Sequence, residues 1–261
     1  MRISPHPKRS PRGKPSLTLV GYGRFGAVIA SLAEESGLPT RVFDLAAQVP
    51  RRLRAGTLEQ ALAQPGVVLF AVPLQALERA VKAALPYLTP AHVVVDVCSV
   101  KVEPERILTR VLGRRIPWVG THPLFGPTSH SRGERPLVTV LCPNRLHPSA
   151  SRRARAFFRQ VGCELVEQKA SEHDRQMANT HVLTSFLGLG VLSSGIDMRP
   201  AVAPASFRAL ARVVEGVADE APLVLQTLQC FNPYAAAARR RLLRSFARVD
   251  AQLSGQRKPR R

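Results

Sequence analysis

Thr121-His122-Pro123-Leu124-Phe125-Gly126-Pro127 puts a histidine at the end of an apolar run and sets proline and glycine turn residues around it. An imidazole held that way exchanges a proton near neutral pH, so His122 is the first candidate for general-base chemistry. Upstream, Gly21-Tyr22-Gly23-Arg24-Phe25-Gly26 has a glycine spacing that permits a tight turn, a close backbone approach to a pyrophosphate and close helix packing. Between the two segments, Asp96-Val97-Cys98-Ser99-Val100-Lys101 supplies a hydroxyl and an ammonium.

The elements around these residues give the spacing its meaning. Residues 17–20 read as a short apolar strand, and residues 27–35 continue as a helix that Gly37 closes. Strand, glycine loop and helix together offer phosphates the unpaired N–H groups and positive dipole end of a helix N-terminus. A second strand over 41–43 ends at Asp44, whose carboxylate accepts hydrogen bonds from both ribose hydroxyls and repels a 2′-phosphate. The cofactor expected is therefore NAD rather than NADP. Its contacts are expected from Gly21, Tyr22, Gly23, Arg24, Phe25, Gly26 and Asp44, with Ala71 and Val72 at the end of the next strand.

The alternation continues with strands over 67–72, 93–97, 118–121, 137–141 and 164–167 and helices over 58–62, 75–85, 103–112 and 148–161. Strands this uniformly apolar belong in a parallel sheet covered on both faces. Beyond Lys169 the pattern is helical, with one long helix over 171–192 capped by Ser171 and two or three more over 206–253. The fold class expected is α/β: a doubly wound Rossmann-type parallel sheet followed by an all-helical C-terminal domain. The divisions expected are a disordered basic leader (1–15), an NAD-binding domain (16–169), a helical domain (170–253) and a basic tail (254–261). Ligands sit at the carboxyl edge of such a sheet, where Val72, Ser99 and His122 all fall.

Composition narrows the function classes. Apolar residues make up 45% of the 261, no run is long enough to cross a bilayer, and charges and prolines occupy the start. A soluble cytoplasmic protein is expected. Cys98, Cys142, Cys163 and Cys230 form no C-x-x-C pair, so no metal is expected and buried free thiols are the simplest reading. The net charge of +20 is concentrated at the ends: residues 1–15 carry five Lys/Arg and no acid, and residues 239–261 carry nine Lys/Arg with only Asp250. Solvated tails account for that pattern, and 5% aromatic content gives little for base stacking, so neither a specific nucleic-acid partner nor a membrane is expected.

With Glu172-His173-Asp174 and Met177-Ala178 in register after them, the segments 96–101 and 121–127 resemble the signature segments of prephenate and arogenate dehydrogenases, over roughly residues 17–235. The segment Thr121 to Pro127 and the stretch from Leu210 through Val214-Glu215 to Asn232 are especially similar to plant-type arogenate enzymes. Those enzymes generally prefer NADP, a preference from which Asp44 departs. The resemblance implies oxidative decarboxylation of a carboxylate-bearing cyclohexadienyl substrate, arogenate or prephenate. His122 is then the base on the ring hydroxyl, and Ser99 bonds both that hydroxyl and the imidazole, fixing its tautomer. Lys101 ranks below Ser99 as a loop anchor, because a lysine one turn into a helix is usually solvated.

His173, Met177, His181 and Ser185 recur every four residues and so share a face of the expected long helix, with His173-Asp174 read as capping and domain packing. Ser185 stands where most members carry a substrate-binding histidine, and His181, one turn earlier, is expected to replace it in part. Glu215 stands where many bacterial members have a carboxylate-binding arginine, leaving Arg208, Arg212 or Lys101 as candidates. The resemblance also implies a homodimer through the helical domain, and the end of the chain soon after those helices leaves no appended regulatory domain expected. A β-hydroxyacid dehydrogenase is disfavoured because residues 171–192 contain no lysine. Two alternatives stay open: a dehydrogenase for an amino-deoxy analogue of the same ring, and a non-catalytic polyanion-binding or NAD-sensing protein of this fold.

Overall fold

The computed structural model describes residues 16–255; the leader over 1–15 and the tail over 256–261 lie outside the described residues. Strand β1 (Leu17–Val20) leads into α1 (Arg24–Glu35), β2 (Thr40–Phe43), α2 (Leu58–Leu62), β3 (Val67–Phe70), α3 (Leu74–Ala84), β4 (Val93–Asp96) and α4 (Val102–Val111). Then come β5 (Trp118–Pro123), α5 (Pro127–Ser131), β6 (Leu137–Cys142), α6 (Pro148–Gln160) and β7 (Cys163–Glu167). The remainder is helical: α7 (Ala170–Asn179), α8 (His181–Ser193), α9 (Ala205–Ala218), α10 (Pro222–Gln226), a π-helical turn (Thr227–Phe231) and α11 (Ala235–Gly255).

The strands form one seven-stranded sheet in the order β2-β1-β3-β4-β5-β6-β7. The chain leaves β1 in one direction and returns to β3 on its other side, so the glycine loop opens at a topological switch point. The sheet is not wholly parallel as expected: β6 pairs with β5 antiparallel, His122 facing Val140. The connection over 124–136 holds only the short α5, so no crossover helix carries the chain back over the sheet as a parallel return requires.

Uniform apolarity in the central strands follows from cover on both faces. Val67 and Leu69 of β3 pack with Ile29 and Phe158 on the α1/α6 side, and Val68 and Phe70 pack with Leu77, Val81 and Leu108 on the α3/α4 side. Burying side chains of this size stabilises the fold by about 1.5–3 kcal/mol each.

The long helix expected over 171–192 is broken. Helix α7 starts at Ala170, with Glu172 accepting from the backbone N–H of Lys169 at 3.2 Å, so Ser171 is not the cap. At Thr180 the backbone leaves helical geometry (φ −121°, ψ −88°), and the threonine hydroxyl donates to the Gln176 carbonyl at 3.0 Å. A β-branched hydroxyl bonding back one turn competes with the helix ladder and bends it. At the far end α11 runs to Gly255, two residues into the stretch expected as tail.

Candidate active site

The glycine loop behaves as three different positions. Gly21 has φ +101°, and a Cβ there would lie 2.5 Å from the Ala71 carbonyl oxygen. A Cβ on Gly26 would lie 2.3 Å from the Gly21 oxygen. Packing therefore accounts for both. A Cβ on Gly23 would meet nothing within 4 Å, yet Gly23 is the N-cap of α1 and no side chain caps that helix. Bare backbone beside open space at an uncapped helix N-terminus fits a phosphate group.

Asp44, at the end of β2, accepts from the backbone N–H of Tyr22 at 2.6 Å, Ala46 at 2.8 Å and Ala47 at 2.7 Å. Burial pushes its carboxyl up, but the three N–H donors outweigh that and hold it below the usual carboxylate value. It is an ionised group poised beside the loop, as a ribose acceptor must be. Ala71 and Val72 flank Gly21, and Phe25 packs on Phe125 with ring centroids 5.8 Å apart, tying the loop to the His122 segment. The Arg24 guanidinium donates to the Asp219 carbonyl after α9 at 2.6 Å.

His122 is the penultimate residue of β5, only 4% exposed. Its Nδ1 lies 2.8 Å from Nε2 of His173, whose Nδ1 lies 2.8 Å from Asp174 Oδ1. The rings of His122 and His173 meet edge to face at 5.0 Å, and His181 at the start of α8 lies parallel to His122 with centroids 6.4 Å apart. Burial, then the neighbouring His173, Lys101 and His181, holds His122 well below the ordinary imidazole value. Burial also lowers His173, against the pull of Asp174, and lowers His181, against Glu220. At neutral pH His122 is an uncharged ring able to take a proton.

Three expectations are corrected by this geometry. The imidazole partner of His122 is His173, and among the described residues no hydrogen bond joins it to the half-buried Ser99. Lys101 is not solvated: it is the N-cap of α4, 1% exposed, and its ammonium donates to Asp96 Oδ1 and to the Thr121 carbonyl. Its position between β4 and β5, rather than one turn into a helix, is what buries it. Ser185 is also committed elsewhere, donating to the His181 carbonyl at 2.9 Å and accepting from Gln229 Nε2 at 2.8 Å.

The break at Thr180 separates the expected shared face: His173 and His181 flank His122 from two helices, while Ser185 turns to the π-helical turn. Arg208 and Arg212 are exposed on α9, and Arg208 donates to the Ala203 carbonyl at 2.6 Å. Three of the cysteines are buried and Cys230 is exposed. Sequence reasoning passed over His173 and Asp174 as partners of His122; a consecutive His-Asp opening a helix that follows the sheet was the available signal. Nothing marked Gln229 or Glu220.

The model of the family "Prephenate dehydrogenase, nucleotide-binding domain" matches residues 52–167. Arogenate dehydrogenase 2 of Arabidopsis thaliana, a chloroplastic protein, is 25% identical over 252 residues, covering 92% of this chain and 70% of that protein. The 4-amino-4-deoxyprephenate dehydrogenase of Streptomyces pristinaespiralis is 30% identical over 254 residues, covering 88% and 81%. Several other curated relatives are longer, and the chain spans only 39% to 41% of their length. Among solved structures, prephenate dehydrogenase from A. aeolicus in complex with hydroxyphenyl propionate and NAD+ superposes with a TM-score of 0.74 at 16% identity, covering 93% of this chain and 91% of that one. The fold is shared at a level of identity that carries fold alone, and the Streptomyces relative carries the kinship: the chain belongs to the prephenate and arogenate dehydrogenase family.

Proposed function

We propose that this chain is an NAD-dependent dehydrogenase that oxidatively decarboxylates arogenate or prephenate, with His122 as general base. The observation that carries the reading is a buried, uncharged His122 at the carboxyl edge of the sheet, its Nδ1 occupied and its Nε2 left for a proton. Gly23 and the first turn of α1 hold the pyrophosphate, and Asp44 accepts from the adenosine ribose. When bound, NAD accepts the hydride that leaves ring C4 as the ring carboxylate departs as carbon dioxide.

The protein's own part is to take the proton of the C4 hydroxyl on His122 Nε2 and to hold the ring against it. His181, parallel to His122, is the side chain of α8 placed to meet substrate, and Ser99 is available to the hydroxyl from the β4–α4 turn. The substrate carboxylate needs a cation. Lys101 is already paired with Asp96, which leaves the exposed Arg208 and Arg212 of α9 as the candidates for that role.

Residues 16–169 form the nucleotide-binding unit and 170–253 the helical unit for substrate and dimer contacts. Leu243, Phe246, Val249 and Leu253 stand exposed along α11, which supports a homodimer through that unit. Among the described residues no helix is long and apolar enough to cross a membrane, and we place the enzyme in the cytoplasm.

A second reading, oxidation of the 4-amino-4-deoxy analogue, is supported by the Streptomyces relative and by Ser185, which turns away from His122. The test is carbon dioxide release from arogenate, prephenate and the amino-deoxy analogue, each with NAD and with NADP. Turnover of one of them with NAD, reduced by about 10²–10⁴-fold in His122→Asn with an unchanged melting curve, is the expected result. No reduction of either cofactor with any of the three overturns the proposal.

A further inference from the structure

We propose that Asp174 and His173 are positioning residues that hold His122 in the tautomer with a bare Nε2 and share the charge it acquires. The proposal rests on the reading of His122 as base. An ionised carboxylate only accepts, and Asp174 accepts from three directions: the backbone N–H of Lys101 (2.7 Å) and His173 Nδ1–H (2.8 Å) at Oδ1, and the backbone N–H of Val102 (2.9 Å) at Oδ2. The proton of neutral His173 is therefore on Nδ1, and its Nε2 presents a lone pair. That lone pair is 2.8 Å from His122 Nδ1, so the proton of neutral His122 is on Nδ1 and Nε2 is bare.

Capping of α4 explains Asp174 but not His173. A helix cap needs only the two backbone contacts, yet His173 is fully buried with both ring nitrogens engaged. A buried ring nitrogen left without a partner is costly, and this contact supplies one to His122 Nδ1 and to His173 Nε2, with Asp174 serving His173 Nδ1. The chain is anchored at its far end as well, since Asn232 Nδ2 donates to the Asp174 carbonyl at 2.7 Å. The acceptor series begins on α7, is pinned to α4 of the sheet domain, and ends on β5, so the base is assembled by the docking of the helical unit.

The consequence for proton transfer is direct. When His122 Nε2 gains the hydroxyl proton, the ring becomes an imidazolium whose Nδ1–H already faces an acceptor. Its positive charge is spread toward His173 and offset by Asp174. The other charged or titratable groups around the pair are Lys101 and Asp96 from the sheet edge, His181 from α8 and Glu220 beyond α9.

The experiment uses the full chain labelled with 15N-histidine and reads imidazole nitrogen shifts by NMR, without substrate. His122 protonated at Nδ1 and His173 protonated at Nδ1, both neutral at pH 7, is the expected result; a His122 carrying its proton on Nε2 overturns the proposal. Kinetics on whichever ring substrate the protein turns over give the second arm. His173→Phe lowers kcat about 10- to 100-fold, the range for losing a group that orients a working imidazole, with little change in KM. His173→Gln, whose side-chain oxygen can accept from His122 Nδ1–H, recovers part of the loss. A kcat and pH profile unchanged in a folded His173→Phe overturns the proposal. If no ring substrate is turned over, the assigned reaction falls while the nitrogen shifts still decide the tautomer.

Discussion

The ammonium of Lys101 donates to the carbonyl of Thr121, the residue immediately before His122, and to Asp96 Oδ1, with both charged side chains buried. The pair thus fixes the end of β5 from which the base projects. Thr121 reinforces it by donating from its hydroxyl to the Asp96 carbonyl at 2.7 Å. Lys101→Met leaves Asp96 buried without a counter-charge, and breaking a buried pair on one side costs about 3–5 kcal/mol. Urea unfolding of Lys101→Met is expected to show a loss of that size, and adding Asp96→Asn is expected to restore much of it. A single variant as stable as the wild type shows the pair to be dispensable. Where the double variant folds, His122 should titrate higher, because one of the positive neighbours that depress it is gone.

Much of the sheet was legible because its signals are local. Continuous apolar strands, a glycine loop between strand and helix, and a histidine bounded by proline and glycine depend on neighbours in sequence. The partners of His122 were not legible in the same way. His173 lies 51 residues away and reaches His122 only because helix α7 docks on α4. Four-residue spacing placed His181 and Ser185 on one face, but spacing carries no information on Thr180, whose hydroxyl bends the chain before both. Lys101 reads as a surface charge until Asp96 is known to lie beneath it.

Gly21 and Gly23 should respond oppositely to alanine. At Gly21 the positive φ and the 2.5 Å approach to the Ala71 oxygen make Gly21→Ala strained, with a loss of about 1–3 kcal/mol in stability. At Gly23 no protein atom opposes a methyl group, so Gly23→Ala should melt within a degree or two of the wild type while NAD affinity, measured by calorimetry, falls at least about tenfold. Equal NAD binding by Gly23→Ala sinks the assignment of that open space to the pyrophosphate.

Asp44→Ser tests cofactor choice. A charge-assisted hydrogen bond contributes about 1.5–3 kcal/mol, so losing it at the ribose should raise the KM for NAD roughly tenfold or more. Part of the effect belongs to the loop, because Asp44 also holds the Tyr22, Ala46 and Ala47 N–H groups. Asp44→Asn separates the two, since its side-chain oxygen can keep loop contacts while the charge that repels a 2′-phosphate is gone. The ratio of NADP to NAD use should rise in both variants; a ratio that stays flat removes Asp44 as the selector.

The buried histidines make stability fall on the acid side. His122, His173 and His181 are all held below the ordinary imidazole value, burial being the largest cause in each, so between their folded values and about 6.5 the unfolded chain binds more protons than the native one. Stability is then complete above the unfolded value and lost as pH falls below it, by up to about 1.4 kcal/mol per pH unit for each such group. Denaturant midpoints measured from pH 8 down to pH 5 should decline steeply below about 6.5. The decline should be shallower in His122→Asn, which removes the most depressed ring. Asp44, whose carboxyl is held low, adds its own loss only at more acid pH, so a decline that begins at pH 4 rather than above 5 assigns the acid sensitivity to carboxylates and not to this cluster.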